Sequence, residues 1–77
     1  MALFTIDEIE AAQALITTQM QPTAQIHWPN LSQRLGVDVV VKHENHAPTG
    51  AFKVRGGITF IDWLKRAHPG VRGIVTA

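Results

Sequence analysis

The chain has 77 residues, no cysteine and a formal net charge of +1, with 45% hydrophobic and 17% charged residues. Without cysteine there is no disulfide framework, zinc–thiolate site or iron–sulfur cluster, and the near-zero charge excludes the strong basic excess of a dedicated nucleic-acid binder. The hydrophobic fraction excludes a disordered chain, no apolar run reaches the roughly 18–20 residues of a membrane span, and a chain this short buries only about 60% of its unfolded surface, so it is a marginal small domain or a piece of a larger one.

Met1 to Phe4 is apolar but short, and acids follow at Asp7, Glu8 and Glu10. That pattern fits neither a secretory signal nor a mitochondrial presequence, and the expectation is a cytoplasmic protein. Thr5-Ile6-Asp7-Glu8 has the spacing of a capping box, with Asp7 and Glu8 suited to the positive end of a helix. Ile9, Ala12, Ile16 and Met20 recur at helical spacing, which predicts a first helix over 6–18. Its apolar stripe needs a partner surface.

Residues 21–30 carry Pro22 and Pro29 and are expected to be extended and irregular. Leu31 to Leu35 reads as a short helix, with Asn30 as its N-cap and Gly36 as its stop. Val37 to Lys42 is a β-branched run, predicting a strand buried on both faces as in a parallel sheet. A polar loop follows from His43 to Gly50. From Phe52 the pattern is helical, with Val54, Ile58, Ile61 and Leu64 on one stripe, widened by Phe60 and Trp63, until His68-Pro69-Gly70 ends it. Gly73 to Ala77 reads as the start of another strand. Residues 37–77 are therefore expected to form a βαβ unit of an α/β protein.

Charge divides unevenly. Residues 1–38 hold four acids and one base, and residues 39–77 hold six bases and two acids. Lys65, Arg66 and Arg72 read as a solvated helix end, where cations suit the negative pole. His43 and His46 have metal-pair spacing only on a helix, and they lie in a loop. His27 beside Trp28 reads as packing or surface. Gly50 to Lys53 is not a phosphate-binding Walker loop, because the glycine spacing and the residue after lysine are wrong.

The stretch from His43 to Gly57 is where the pattern breaks its own rules. Lys53 and Arg55 occupy the first turn of the predicted helix, where cations are disfavoured by about 0.3–1 kcal/mol. A local rule broken without an evident structural gain points to function. A helix N-terminus disfavours an ammonium relative to the neutral amine, and the neutral amine is the form that attacks an aldehyde. The same helix end offers free amides to a phosphate. Gly50 permits a sharp turn, and Gly56-Gly57 permits close helix packing or close ligand approach. A pyridoxal phosphate Schiff base on Lys53 meets these requirements together; a surface lysine beside a structural arginine is the plainer reading.

Lys42-His43-Glu44-Asn45, followed by Pro48-Thr49-Gly50-Ala51-Phe52-Lys53-Val54-Arg55-Gly56-Gly57, resembles the cofactor-attachment region of the serine/threonine dehydratases. These are fold-type-II pyridoxal-phosphate enzymes related to tryptophan synthase β. Their pattern is Lys-x-Glu, then Thr-Gly-Ser-Phe-Lys-x-Arg-Gly-Ala. Pro22-Thr23 and the segment from Leu31 to Gly36 also resemble the family's approach to that region, so the resemblance covers residues 5–77.

The resemblance implies that Lys53 forms the Schiff base and later takes part in proton transfer, that Phe52 lines the cofactor pocket, and that Thr49 and Arg55 position the lysine helix. Ala51 stands where the family has serine, which puts proton handling or substrate choice in question, and Gly57 stands where it has alanine. Val54 replaces the aspartate typical of threonine and cysteine synthases, which favours a dehydratase. The implied reaction is α,β-elimination of a 3-hydroxy amino acid such as threonine or serine, giving a 2-oxo acid and ammonia.

The family's Ser-x-Gly-Asn-His loop should begin where the sequence reaches Ala77. Its glycine-rich phosphate loop and the residue facing the pyridine nitrogen are not among these 77 residues. The expectation is the N-terminal segment (1–77) of a longer, homo-oligomeric enzyme with an incomplete sheet, inactive alone. The rivals are a threonine-synthase-like lyase and a non-enzymatic module that docks through the stripe of its first helix.

Overall fold

The computed structural model of the chain describes residues 2–76. It is an α/β structure with three α-helices and one two-stranded antiparallel sheet among the described residues. The chain divides into two compact units, one running up to Gln19 and from Arg55 onward, the other from Met20 to Val54.

In the first unit, helix α1 spans Ile6–Thr17. It opens on the expected capping box: the Thr5 hydroxyl accepts from the Glu8 amide at 3.2 Å, and the Glu8 carboxylate accepts from the Thr5 amide at 2.7 Å. Two of the four orphan amides at that end are thereby occupied. The helix stops one residue earlier than predicted, at the threonine pair. The Thr17 and Thr18 hydroxyls turn back to donate to the carbonyls of Ala14 and Leu15, a competition that β-hydroxyl residues offer to continued helix. Ala12, Leu15 and Ile16 are half-buried, while Ile9 remains exposed.

Helix α3 spans Lys53–Ala67. Trp63 stands edge-on to His68 with ring centroids 5.5 Å apart, and tilts against Phe60 at 5.7 Å. Arg66 pairs with Asp62 one turn back at 2.8 Å, an exposed bond that contributes a few tenths of a kcal/mol. The helix terminates as read, with the His68 amide on the Leu64 carbonyl and Pro69 unable to donate next. Gly56 and Gly57 face open space, and a Cβ on either would meet nothing within 4 Å. The close packing expected at that pair is not made by this chain's own atoms.

Residues 71–76 form no strand, and Ala77 lies outside the described residues. No parallel ladder is present among the described residues, and the expected strand–helix–strand arrangement is represented by its first strand and its helix alone.

The second unit is organised by a hairpin. Strand β1, Gln25–His27, pairs antiparallel with β2, Val40–Lys42, in the register Gln25 to Lys42, Ile26 to Val41 and His27 to Val40. The pairing is prolonged at both ends, by Trp28 N–H on the Val39 carbonyl and His43 N–H on the Ala24 carbonyl. This corrects two expectations. The segment predicted to be irregular contains a strand, and the valine strand pairs antiparallel with it rather than in a parallel sheet. Nor are the valines buried on both faces, since Val40 is 57% exposed.

Helix α2, Pro29–Leu35, fills the connection. Its N-cap is Trp28, not Asn30, because Pro29 takes the first helical position, where its fixed φ and missing amide cost nothing. Gly36 closes the helix in the left-handed region at φ 70°. Strand β2 starts at Val40 rather than Val37 because the preceding amides are already committed. Val37 N–H donates to the Ser32 carbonyl and Val39 N–H to the Ser32 hydroxyl.

The core is small. Among the described residues, the buried side chains are Met20, Ala47 and Ser32. Ser32 is the polar member, accepting from Val39 N–H at 2.9 Å and lying 3.2 Å from the His27 imidazole. Ser32→Ala leaves that amide without its acceptor. It is expected to raise hydrogen exchange at the Val39 amide about tenfold, the equivalent of ~1.4 kcal/mol, while the exchange of α1 amides is unchanged. Unaltered exchange at Val39 would show that the hydroxyl does not hold the end of α2 to β2.

Candidate functional site

The site is built on the segment that leaves β2. Lys42 ends the strand with its ammonium 3.4 Å from the Thr23 carbonyl. His43 is fixed at its backbone by the Ala24 carbonyl, at 2.8 Å. Three successive turns follow. His46 N–H donates to His43 O, Ala47 N–H to Glu44 O, and Gly50 N–H to Ala47 O, all at 2.8–3.0 Å. The first two form a short 3-10 turn over Glu44–His46. Ala47 is among the most buried residues of the chain, so the loop closes over its own methyl group.

Gly50 reverses the chain at φ 73°, in the left-handed region where other residues pay a steric cost. Thr49 then donates its hydroxyl to the Ala51 carbonyl at 3.4 Å. The loop thus stays close-turned from His43 to Ala51 and releases the chain at the first residue of α3, which is Lys53.

Lys53 is exposed, and its amine has no hydrogen-bond or ion-pair partner among the described residues. Its neighbours in the first turn of α3 include no acid. The first amides of a helix lack intrahelical acceptors and form a positive pole, so the lysine stands at an end suited to an anion. Phe52, the residue before it, is 65% exposed. Arg55 is half-buried and belongs to the other unit. Thr23, upstream in the second unit, has its hydroxyl shielded from solvent with no hydrogen-bond partner among the described residues.

A second cluster in this unit was not legible from spacing. Trp28 and His43 are fifteen residues apart, and the indole Nε1–H donates to His43 Nε2 at 2.9 Å. His43 in turn stacks on His46, with centroids 5.0 Å apart and planes 17° from parallel. A sequence signal for it exists only in hindsight, in the concentration of rings flanking both strands.

A third cluster joins His27, Ser32 and Asp38 around an open depression. It has the residue types of a hydrolytic triad but not the geometry. Both the Ser32 hydroxyl, at 3.2 Å, and the Asp38 carboxylate, at 3.6 Å, face the same imidazole nitrogen, Nε2. A relay needs the carboxylate on the other nitrogen. No group of three or more histidine or acidic residues among the described residues is arranged to hold a metal ion. Nor is any described helix long and apolar enough to cross a membrane.

Comparison with known proteins adds a family. A family model described as pyridoxal-phosphate dependent enzyme matches residues 16–77. An L-threonine ammonia-lyase from Geobacter sulfurreducens is 33% identical over 69 residues, covering 90% of this chain and 17% of that protein. An L-threonine ammonia-lyase from Thermotoga maritima is 32% identical over 75 residues, covering 97% of this chain and 18% of that protein. The chain therefore spans less than a fifth of the length of the curated relatives it matches. No solved structure matches it significantly.

Proposed function

Because the chain belongs to the family of pyridoxal-phosphate dependent enzymes, we propose that it is the cofactor-attachment segment of a dehydratase and that Lys53 is the attachment residue. The observation that carries this is the Lys53 amine, exposed and without a partner among the described residues, at the first residue of α3. The residues present fit the covalent half of what the cofactor needs. A primary amine that no carboxylate occupies can take an aldehyde, and the free amides of the helix end suit an anionic substituent.

When bound, the cofactor supplies an electron sink that weakens the bond from the substrate's α-carbon to its proton. The remaining roles fall to this chain. Lys53 Nζ would hold the cofactor, and when not engaged with it that nitrogen could act as a base toward the α-proton. Phe52 offers an apolar ring beside it to exclude water. Ala51, which has no hydroxyl, can relay no proton next to Lys53, so proton transfer on this side rests on the lysine nitrogen itself.

The substrate class is a 3-hydroxy amino acid, threonine or serine, which loses its hydroxyl as water and yields a 2-oxo acid and ammonia. The relatives are L-threonine ammonia-lyases, which supports threonine as the first candidate. The longer enzyme is a fold-type-II protein in which further segments complete the sheet begun by β1 and β2. It is a homo-oligomer. The 77 residues alone are expected to turn over nothing, since few of the described side chains are buried.

The test is covalent. The chain incubated with pyridoxal phosphate and then borohydride should carry the reduced adduct on Lys53 in preference to Lys42 and Lys65, identified by peptide mass. The full-length enzyme should show a violet absorbance band that borohydride bleaches. An adduct spread evenly over the three lysines, with no such band, would favour a non-enzymatic module docking through α1.

A further inference from the structure

Two residues that the chemistry above does not use, Trp28 and His43, are bonded to each other where the loop toward Lys53 begins. We infer that His43, held by Trp28, is a positioning residue for Lys53, and that the hold exists only while the His43 imidazole is neutral. The inference rests on the reading of Lys53 as the cofactor lysine.

The argument starts from donor and acceptor inventory. An indole Nε1–H donates and never accepts. Its bond to His43 Nε2, at 2.9 Å, therefore requires a lone pair on that nitrogen, which puts the imidazole proton on Nδ1. A protonated imidazole carries hydrogen on both nitrogens and has no lone pair to offer. Acid therefore does not weaken this bond; it removes the acceptor and sets two N–H groups against each other.

His43 is also where the hairpin hands over to the loop. Its amide is bonded to the Ala24 carbonyl and its carbonyl accepts from the His46 amide, so the ring is attached to a backbone point fixed on both sides. From there each turn is bonded to the next as far as Gly50, three residues before Lys53. The ring bond to Trp28 anchors the start of this arm to the N-cap of α2.

Other charged and titratable groups lie around the ring. His46 stacks on His43 at 5.0 Å, so protonating both rings brings like charges together. Lys42 and Glu44 flank it in the chain, with the Lys42 ammonium turned to the Thr23 carbonyl. On β1, the His27 imidazole faces Asp38 and Ser32 instead. Helix α2 carries Arg34 in its last turn.

Two readouts on the 77-residue chain test this. In the first, borohydride-trapped pyridoxal phosphate on Lys53 is measured relative to Lys65 in the same molecule, which cancels the general loss of amine reactivity in acid. The ratio should fall about fivefold between pH ~8 and pH ~5.5, which is the population change one hydrogen bond supports. His43→Gln keeps an acceptor that does not titrate and should hold the ratio high and flat. Trp28→Phe and His43→Phe lack the bond and should hold it low and flat.

In the second readout, the Trp28 indole N–H resonance, assigned with Trp63→Phe, should shift across the same range in the parent chain and stay still in His43→Gln. An indole resonance that does not titrate overturns the inference, whether or not Lys53 takes the cofactor. A wild-type ratio that Trp28→Phe reproduces at every pH also overturns it. Equal labelling of Lys53 and Lys65 beside a titrating indole identifies the cofactor reading as the part that failed, and the inference falls with it.

Discussion

Lys53→Ala is expected to abolish the borohydride-trapped adduct at that position and to stop ammonia release from threonine by the full-length enzyme. On the proposed assignment the removed amine is both the point of attachment and the base. Loss of a positioned base alone costs about 10²–10⁴-fold in rate, before the loss of cofactor binding is added. The same substitution should not harm the fold. Lys53 is exposed, has no partner among the described residues, and sits where a cation opposes the helix dipole. Alanine there relieves about 0.3–1 kcal/mol of unfavourable charge placement and is the best helix former.

The expected result is therefore an inactive protein that is as stable as the parent or slightly more so. Lys53→Arg separates charge from nucleophilicity, since it keeps the cation but carries no amine that can lose its proton near neutrality. It too should be inactive. An Lys53→Ala enzyme that still releases ammonia at the parent rate would end the assignment of this residue.

Gly50→Val is expected to lower Lys53 labelling, and the activity of the full-length enzyme, by about 10²-fold, through geometry rather than chemistry. Gly50 lies at φ 73° with its amide bonded to the Ala47 carbonyl at 2.8 Å. A β-branched residue in the left-handed region costs about 1–2 kcal/mol. Space is not the obstacle, because a Cβ at Gly50 would stand an ordinary 4.0 Å from the Asn45 carbonyl oxygen. The cost is conformational, and the chain relieves it by opening the turn that places Lys53. Displacing a reacting group by an ångström is enough for a hundredfold loss.

Gly56→Ala is the matched control. Its Cβ meets nothing within 4 Å, and alanine in a helix interior is favoured over glycine by about 0.8–1 kcal/mol. Labelling of Lys53 should be unchanged in the 77-residue chain. If Gly50→Val labels normally, the loop does not position the lysine.

The candidate site was legible to the extent that it obeys or breaks local rules. A lysine and an arginine in the first turn of a helix conflict with the macrodipole, and that conflict marks Lys53 in the sequence itself. The ring cluster of Trp28, His43 and His46 breaks no local rule. Each ring is an ordinary residue in its own segment, and the indole–imidazole bond exists only because two strands bring residues fifteen apart to 2.9 Å.

What the sequence determined by itself is what four or five neighbouring residues can settle. The Thr5–Glu8 capping box, the left-handed stop at Gly36, the end of α3 at His68-Pro69 and the sharp turn at Gly50 all formed as read, because each is a bond or a dihedral preference within about one helical turn. Tertiary structure decided the rest. Which strand Val40–Lys42 pairs with, why it begins three residues late, and what holds His43 depend on amides and rings meeting across loops. A valine run states that it favours a strand. It does not state its neighbour, because pairing is chosen by whichever partner the chain can bring alongside at the least loop-closure entropy. Here that partner is the short strand Gln25–His27, delivered by the seven-residue helix between them.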